Sequence, residues 1–293
     1  MKPPKEVLKK YNLKPNQYRK EGNALIVFGK NGRFVLKDKK SDDDIYRYLR
    51  ARNFNYYPTI ISDEEDRYEI TEYIDEISMP EEQKLMDMIS LLALLHNKTT
   101  YYKEVSVDEF KKIYEDLDNN INYLYSYYQD TISIIESKKY MSPSEYFLAR
   151  NISQIFSAID YSKRSLDSWY QLIENKRKIR YVVLHNNLDL NHFIRSEQPY
   201  FISWSKAKID IPVFDLYKLY RKIGDRFDFT ILLEEYEKKY PLLNEERKLL
   251  FVLLSMPLKI EFTQDTFQTC NHITKELESL DKVSKILKEE QTP

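Results

Sequence analysis

The chain has 293 residues, 42% of them hydrophobic, which suits one two-lobed domain or two small ones with a sizeable core. Its 46 basic and 47 acidic side chains leave a net charge of -1, so no global positive field exists to hold nucleic acid. A lone cysteine, Cys270, excludes an internal disulfide or a cysteine metal cluster, and it reads as a buried structural thiol.

Taken in chain order, residues 1–14 open as a short polar helix with Val7, Leu8 and Tyr11 on one side. This start has no signal-peptide core, so the expectation is synthesis in the cytoplasm without signal-peptide export. Two apolar stretches, 23–28 and 33–37, flank Gly29-Lys30-Asn31-Gly32, a hairpin signal. Residues 42–52 read as a helix, with Ser41 as N-cap and acids in its first turn. Strands are expected at 58–61 and 68–73, around the acidic turn 63–66. From Pro80 the period becomes helical. Leu85, Met88, Ile89, Leu92 and Leu95 share one face of an 81–96 helix. Long helices follow at 107–136 and 142–173. Short strands at 181–184 and 200–204 enclose a loop, and helices at 215–222, 228–240, 244–255 and 266–288 complete the chain. The longest apolar runs, 89–95 and 249–254, fall far short of the ~20 residues that span a bilayer.

The loop carries the chemistry. It reads His185-Asn186-Asn187-Leu188-Asp189-Leu190-Asn191-His192, then the hairpin Tyr200-Phe201-Ile202-Ser203-Trp204, then Ile211-Pro212-Val213-Phe214-Asp215-Leu216. That order resembles the aminoglycoside phosphotransferase and choline kinase superfamily, which reads His-Gly-Asp-x-x-x-x-Asn, Ile-Asp-Trp/Phe and Asp-Pro-x-x-Asp-Leu. Within it, the chain is most similar to the spore-coat-associated branch of CotS and YutH type. The resemblance covers roughly residues 15–220. It implies an α+β, two-lobed protein-kinase-like fold, with a small antiparallel-sheet N-lobe at 1–76. A large, mainly helical C-lobe at 77–293 would carry the loop 185–192 and the metal hairpin 200–204.

By the same resemblance, Asn187 stands in the slot of the general base, His192 in that of a metal-holding Asn, and Ser203 in that of the main magnesium carboxylate. An amide has no basic lone pair to take a proton. A hydroxyl is a weak magnesium ligand, and imidazole suits zinc, copper or iron better. No catalytic residue and no metal site is therefore assigned. His185 and Asp215 are loop-scaffold residues, and their retention implies that the architecture outlived the chemistry. Asp189 is a poor substitute base, since it points elsewhere in a loop without an insertion. Lys37 takes the slot of the phosphate-pairing lysine, or is a solvated strand lysine. Its helix partner is doubtful: only Asp42, Asp43 and Asp44 are near, with a displaced pair to Asp44 or none. Gly22, after Glu21, is a turn glycine before it is a phosphate cradle. Glu72 and Tyr73 resemble the adenine-binding hinge. ATP is the one cofactor left open, without Mg2+. The tyrosines at 114–128, with Tyr217 and Tyr220, are core fillers first and a binding surface second.

The expected function is that of a pseudo-phosphotransferase, a binding or scaffold protein with protein partners in the spore coat. The alternatives are a small-molecule kinase with atypical metal ligation and a nucleotide-sensing module without turnover. Oligomeric state is not legible.

Overall fold

A computed structural model describes residues 5–40, 43–224 and 226–291. Packing divides the chain into two compact units: one holds 1–100 with 182–210, the other 101–181 with 211–293. This division gathers the loop and the hairpin with the sheet. The lobes expected at 1–76 and 77–293 are a different partition, drawn on element type.

The first unit begins with α1 (Lys5–Lys10), then β1 (Pro15–Glu21), β2 (Ala24–Gly29), β3 (Gly32–Asp38), α2 (Asp43–Ala51) and β4 (Tyr68–Glu72). The four strands form an antiparallel sheet in the order β1-β2-β3-β4. Leu13, Val27, Leu36 and Ile70 make its core, and Val7, Leu8 and Tyr11 pack against them as expected. Asn12 and Asn53 end α1 and α2 with φ of 51° and 55°. Asn is among the few residues that accept this left-handed conformation after a helix. Ser41 and Asp42, the expected cap and first acid of α2, lie outside the described residues.

One strand was not anticipated, and one expected strand needs correction. β1 carries almost no apolar side chains and is nearly all exposed, so its sequence has no alternation to read. The segment 58–61 is not a strand. It meets β4 through one isolated bridge, Ile60 to Thr71, flanked by Ile61 N donating to Ile70 O at 2.8 Å and Glu72 N donating to Thr59 O at 3.1 Å.

α3 (Glu81–Thr99) buries Leu85, Met88, Ile89, Leu92 and Leu95 on its expected face. It packs on the 3-10 turn Leu190–His192 and on the hairpin β7 (Phe193–Arg195) and β8 (Pro199–Phe201). The second hairpin strand ends at Phe201, and Trp204–Lys206 is a 3-10 turn.

The second unit contains β5 (Tyr101–Glu104), α4 (Val107–Glu136), α5 (Pro143–Ile173), α6 (Val213–Ile223), α7 (Phe229–Glu237), α8 (Asn244–Ser255) and α9 (Thr266–Gln291). α5 is its centre, packed by α4, α8 and α9. Ser142 and Glu145 start α5 as a capping box, each side chain accepting from the other's backbone N–H. Strand β6 (Lys178–Leu184) pairs with β5 in this unit. Its last residues pair with β9 (Lys208–Asp210) in the first. Cys270 is half-buried on α9 rather than buried. Among the described residues no helix is long and apolar enough to cross a membrane.

Candidate functional site

Strand β6 delivers His185 into the core of the first unit, where it is fully buried. Its Nε2 lies 2.9 Å from the carbonyl of Ile202. Its ring packs on Phe201 and Trp204 at centroid distances of 4.9 and 4.8 Å. Tyr46 and Phe54 reach the same Trp204 from α2 and the segment after it, and Tyr57 completes the cluster. The loop and the hairpin are thus packed through one aromatic cluster.

Two strained positions aim the polar groups. Asn186 has φ 58°, and Ser203 has φ 68°. Asn tolerates this region, whereas a Ser held there costs on the order of 1–3 kcal/mol. The turn at Ser203 presents its carbonyl to Asn187 and its hydroxyl to Lys37. Asn187 Nδ2 donates to Ser203 O at 3.3 Å, and Lys37 Nζ donates to Ser203 Oγ at 3.3 Å. His192 Nδ1 sits 2.7 Å from the backbone carbonyl of Asn187, and the carbonyl of His192 accepts from Ile202 N at 2.9 Å. Asn186 Nδ2 donates to Lys206 O at 2.7 Å. The structure therefore brings Lys37, His185, Asn187, His192 and Ser203 into one hydrogen-bonded group. Asp189 instead caps the 190–192 turn, accepting from the backbone and the side chain of Asn191 at 3.0 Å each.

Lys37 is half-buried on β3. Loss of water lowers its pKa, and the charge of Glu69, its cross-strand neighbour on β4, partly opposes this. Among the described residues no carboxylate comes within ion-pair distance of its ammonium. Asp44 is paired with Arg47 at 2.6 Å. The acid nearest in effect is thus on the adjacent strand, where Tyr46 of α2 donates to Glu69 at 3.3 Å. Sequence reasoning looked for that acid on the helix. The register that sets Glu69 opposite Lys37 belongs to the folded strand pair, so no stretch of sequence carried a signal for it.

The backbone N–H groups of Glu72 and Tyr73 are already committed, to Thr59 O at 3.1 Å and Arg33 O at 3.0 Å. Both donors are thus used within the protein. Gly22 forms the β1–β2 turn with φ 54°, and nothing lies within 4 Å of where a Cβ would stand. Asp215 belongs to the helical unit, where it is fully buried on α6. Of the tyrosines, Tyr128 and Tyr220 are buried, while Tyr123 and Tyr125 are exposed. Tyr114 donates to Asp167 at 2.8 Å, and that carboxylate, with burial, pushes its hydroxyl up to about 12.

The resemblance implies magnesium-nucleotide chemistry at these donors. The relevant positions offer an amide already donating, an imidazole already bonded and one hydroxyl. Magnesium is held by carboxylate and phosphate oxygens in octahedral array. This donor set does not fit it. Among the described residues no group of three or more His, Cys, Asp or Glu is placed to hold a metal ion.

No protein-family model matches this chain, and no curated protein matches it either. Its three-dimensional structure does have counterparts. It is similar to an aminoglycoside phosphotransferase from Alicyclobacillus acidocaldarius, with TM-score 0.76 and 11% identity over 99% of this chain and 96% of that one. It is similar to the AMP-bound spectinomycin phosphotransferase APH(9)-Ia, with TM-score 0.57 and 13% identity over 95% and 96%. It is also similar to the choline kinase LicA from Streptococcus pneumoniae, with TM-score 0.51 and 15% identity over 96% and 98%. At these identities the likeness shows the fold: α+β, protein-kinase-like, a small antiparallel sheet and a mainly helical lobe.

Proposed function

We propose that this chain is a protein-kinase-like protein without phosphoryl transfer, acting by binding. One observation carries the reading: the side chains of Asn187 and His192 are committed to loop backbone carbonyls, and that of Ser203 to Lys37. General-base catalysis needs a proton acceptor at the substrate hydroxyl, and Asn187 instead donates a hydrogen bond to Ser203 O. Association with protein partners in the spore coat rests on the resemblance to the spore-coat-associated branch alone. The rival enzyme with Asp189 as base is disfavoured, because that carboxylate would have to leave its cap on Asn191. The rival nucleotide sensor is favoured by one feature, the Lys37 ammonium, which among the described residues has no carboxylate within ion-pair distance.

The test is turnover. The full chain is incubated with ATP, Mg2+ and a panel of aminoglycoside, choline and ethanolamine acceptors, and ADP release is followed. The expected rate equals that of the protein-free control. Acceptor-dependent ADP release would overturn the reading. A separate fractionation of sporulating cells tests the coat association, which fails if the protein is missing from the coat layer.

A further inference from the structure

We infer that the first unit holds a second site, a cavity beside α2 that takes a small dipolar molecule of the α-amino acid class. None of Lys37, Asn187, His192 and Ser203 lines it, so it stands whether or not the loop transfers phosphate.

The cavity has a volume of about 220 Å³. Its walls are α2, the segment 60–64, Lys39 just after β3, and Glu69 on β4. Pockets for drug-sized ligands run to ~300–1,000 Å³, so this one suits a smaller molecule. The buried Tyr46 and half-buried Ile60 supply its apolar surface. The rest of the lining is polar, and its charges decide what fits.

Two cations in the lining, Lys39 and Arg50, stand against three carboxylates, Asp63, Glu64 and Glu69. Cations outside the lining answer two of those three. Lys10 pairs with Asp63 at 2.9 Å, and Arg47 with Glu64 at 3.6 Å. Glu69 instead accepts the Tyr46 hydroxyl at 3.3 Å, and a carboxylate has further lone pairs to offer a ligand. Lys39 Nζ donates to the carbonyl of Glu64. Among the described residues the Arg50 guanidinium has no hydrogen-bond acceptor and no carboxylate within ion-pair distance. Its N–H donors are therefore open to an anion. Ser62 Oγ accepts from Ile70 N at 3.0 Å, which leaves its own O–H to donate. A simple anion drawn to Arg50 would meet Glu69, and a simple cation drawn to Glu69 would meet Arg50. A molecule with both a carboxylate and an ammonium satisfies the two together, through charge-assisted hydrogen bonds at each end. An α-amino acid carries that pair of groups in the compact form this volume requires. Arg50 is exposed, so water screens its contact and the affinity is weak, on the order of 1 mM.

The experiment is a ligand-observed NMR titration of the full chain with each of the common L-amino acids up to ~10 mM, a range set by the expected affinity. The best binder is then compared with its carboxamide and its N-acetyl derivative, each of which lacks one charge. Saturable binding of at least one amino acid is expected, with both derivatives weaker by about tenfold or more. Arg50→Gln should cause the same loss, and an unchanged urea midpoint checks that this exposed substitution leaves the fold intact. Glu69→Gln keeps an acceptor for Tyr46 while removing the charge. It should weaken the amino acid and leave the N-acetyl derivative unaffected. No binding of any amino acid, derivatives that bind as well as the parent, or binding that survives Arg50→Gln would overturn the site.

Discussion

Asn187→Asp restores the acid that the resembled loop carries, and here it should weaken the fold. Asn187 Nδ2 donates to Ser203 O at 3.3 Å. Truncation to Ala loses that bond, about 1 kcal/mol. Asp also sets a carboxylate oxygen against a carbonyl oxygen in a half-buried place, which adds about 1–3 kcal/mol. The sum is about 2–4 kcal/mol at neutral pH. The introduced group would have a raised folded-state pKa, because its protonated form can donate to Ser203 O. Its excess cost over Ala is then fully present above that folded pKa and disappears as pH falls toward the unfolded value of ~3.9. Urea titration reports this through Trp204, whose Nε1 donates to Phe201 O at 2.9 Å, in a Trp169→Phe background that leaves one tryptophan. Equal stability of the Asp and Ala variants at neutral pH would refute the reasoning. So would a more stable Asp variant, which would mean that Lys37 rather than the carbonyl dominates the site.

Two further outcomes follow from the same kind of argument. Lys37→Met should stabilise the protein at neutral pH, since burial lowers the lysine's pKa and the fold works against its charge. The advantage should shrink as pH rises through the folded pKa toward 10.5, and denaturation midpoints from pH 7 to 10 would show it. In the helical unit, Arg180 Nε donates to Glu246 at 2.8 Å, with the Glu246 side chain only 3% exposed. Glu246→Ala strands the guanidinium and should cost about 3–5 kcal/mol by calorimetric unfolding, whereas a cost below 1 kcal/mol would mean that the pair is solvated.

The helices were legible because each brings its own punctuation. α4 and α8 fall at the expected residues, and Ser106 caps α4 by accepting from Glu109 N at 3.3 Å. The β2–β3 hairpin was legible from its two glycines, which pair across the turn. β1 was not, because an exposed edge strand buries nothing and so selects no alternation. β7 and β9, three residues each, are too short to carry a period.

By itself the sequence determined which groups stand at the positions that the resemblance assigns to catalysis: an amide at 187, an imidazole at 192, a hydroxyl at 203. That is a statement of composition along one loop, and no packing can put a carboxylate there. Only the tertiary structure decided what those groups do. The bond from Lys37 to Ser203 joins residues 166 apart in sequence, and the register that sets Glu69 beside Lys37 belongs to a strand pair. Such contacts depend on how chain segments are folded back on one another, and a local sequence pattern holds no record of it.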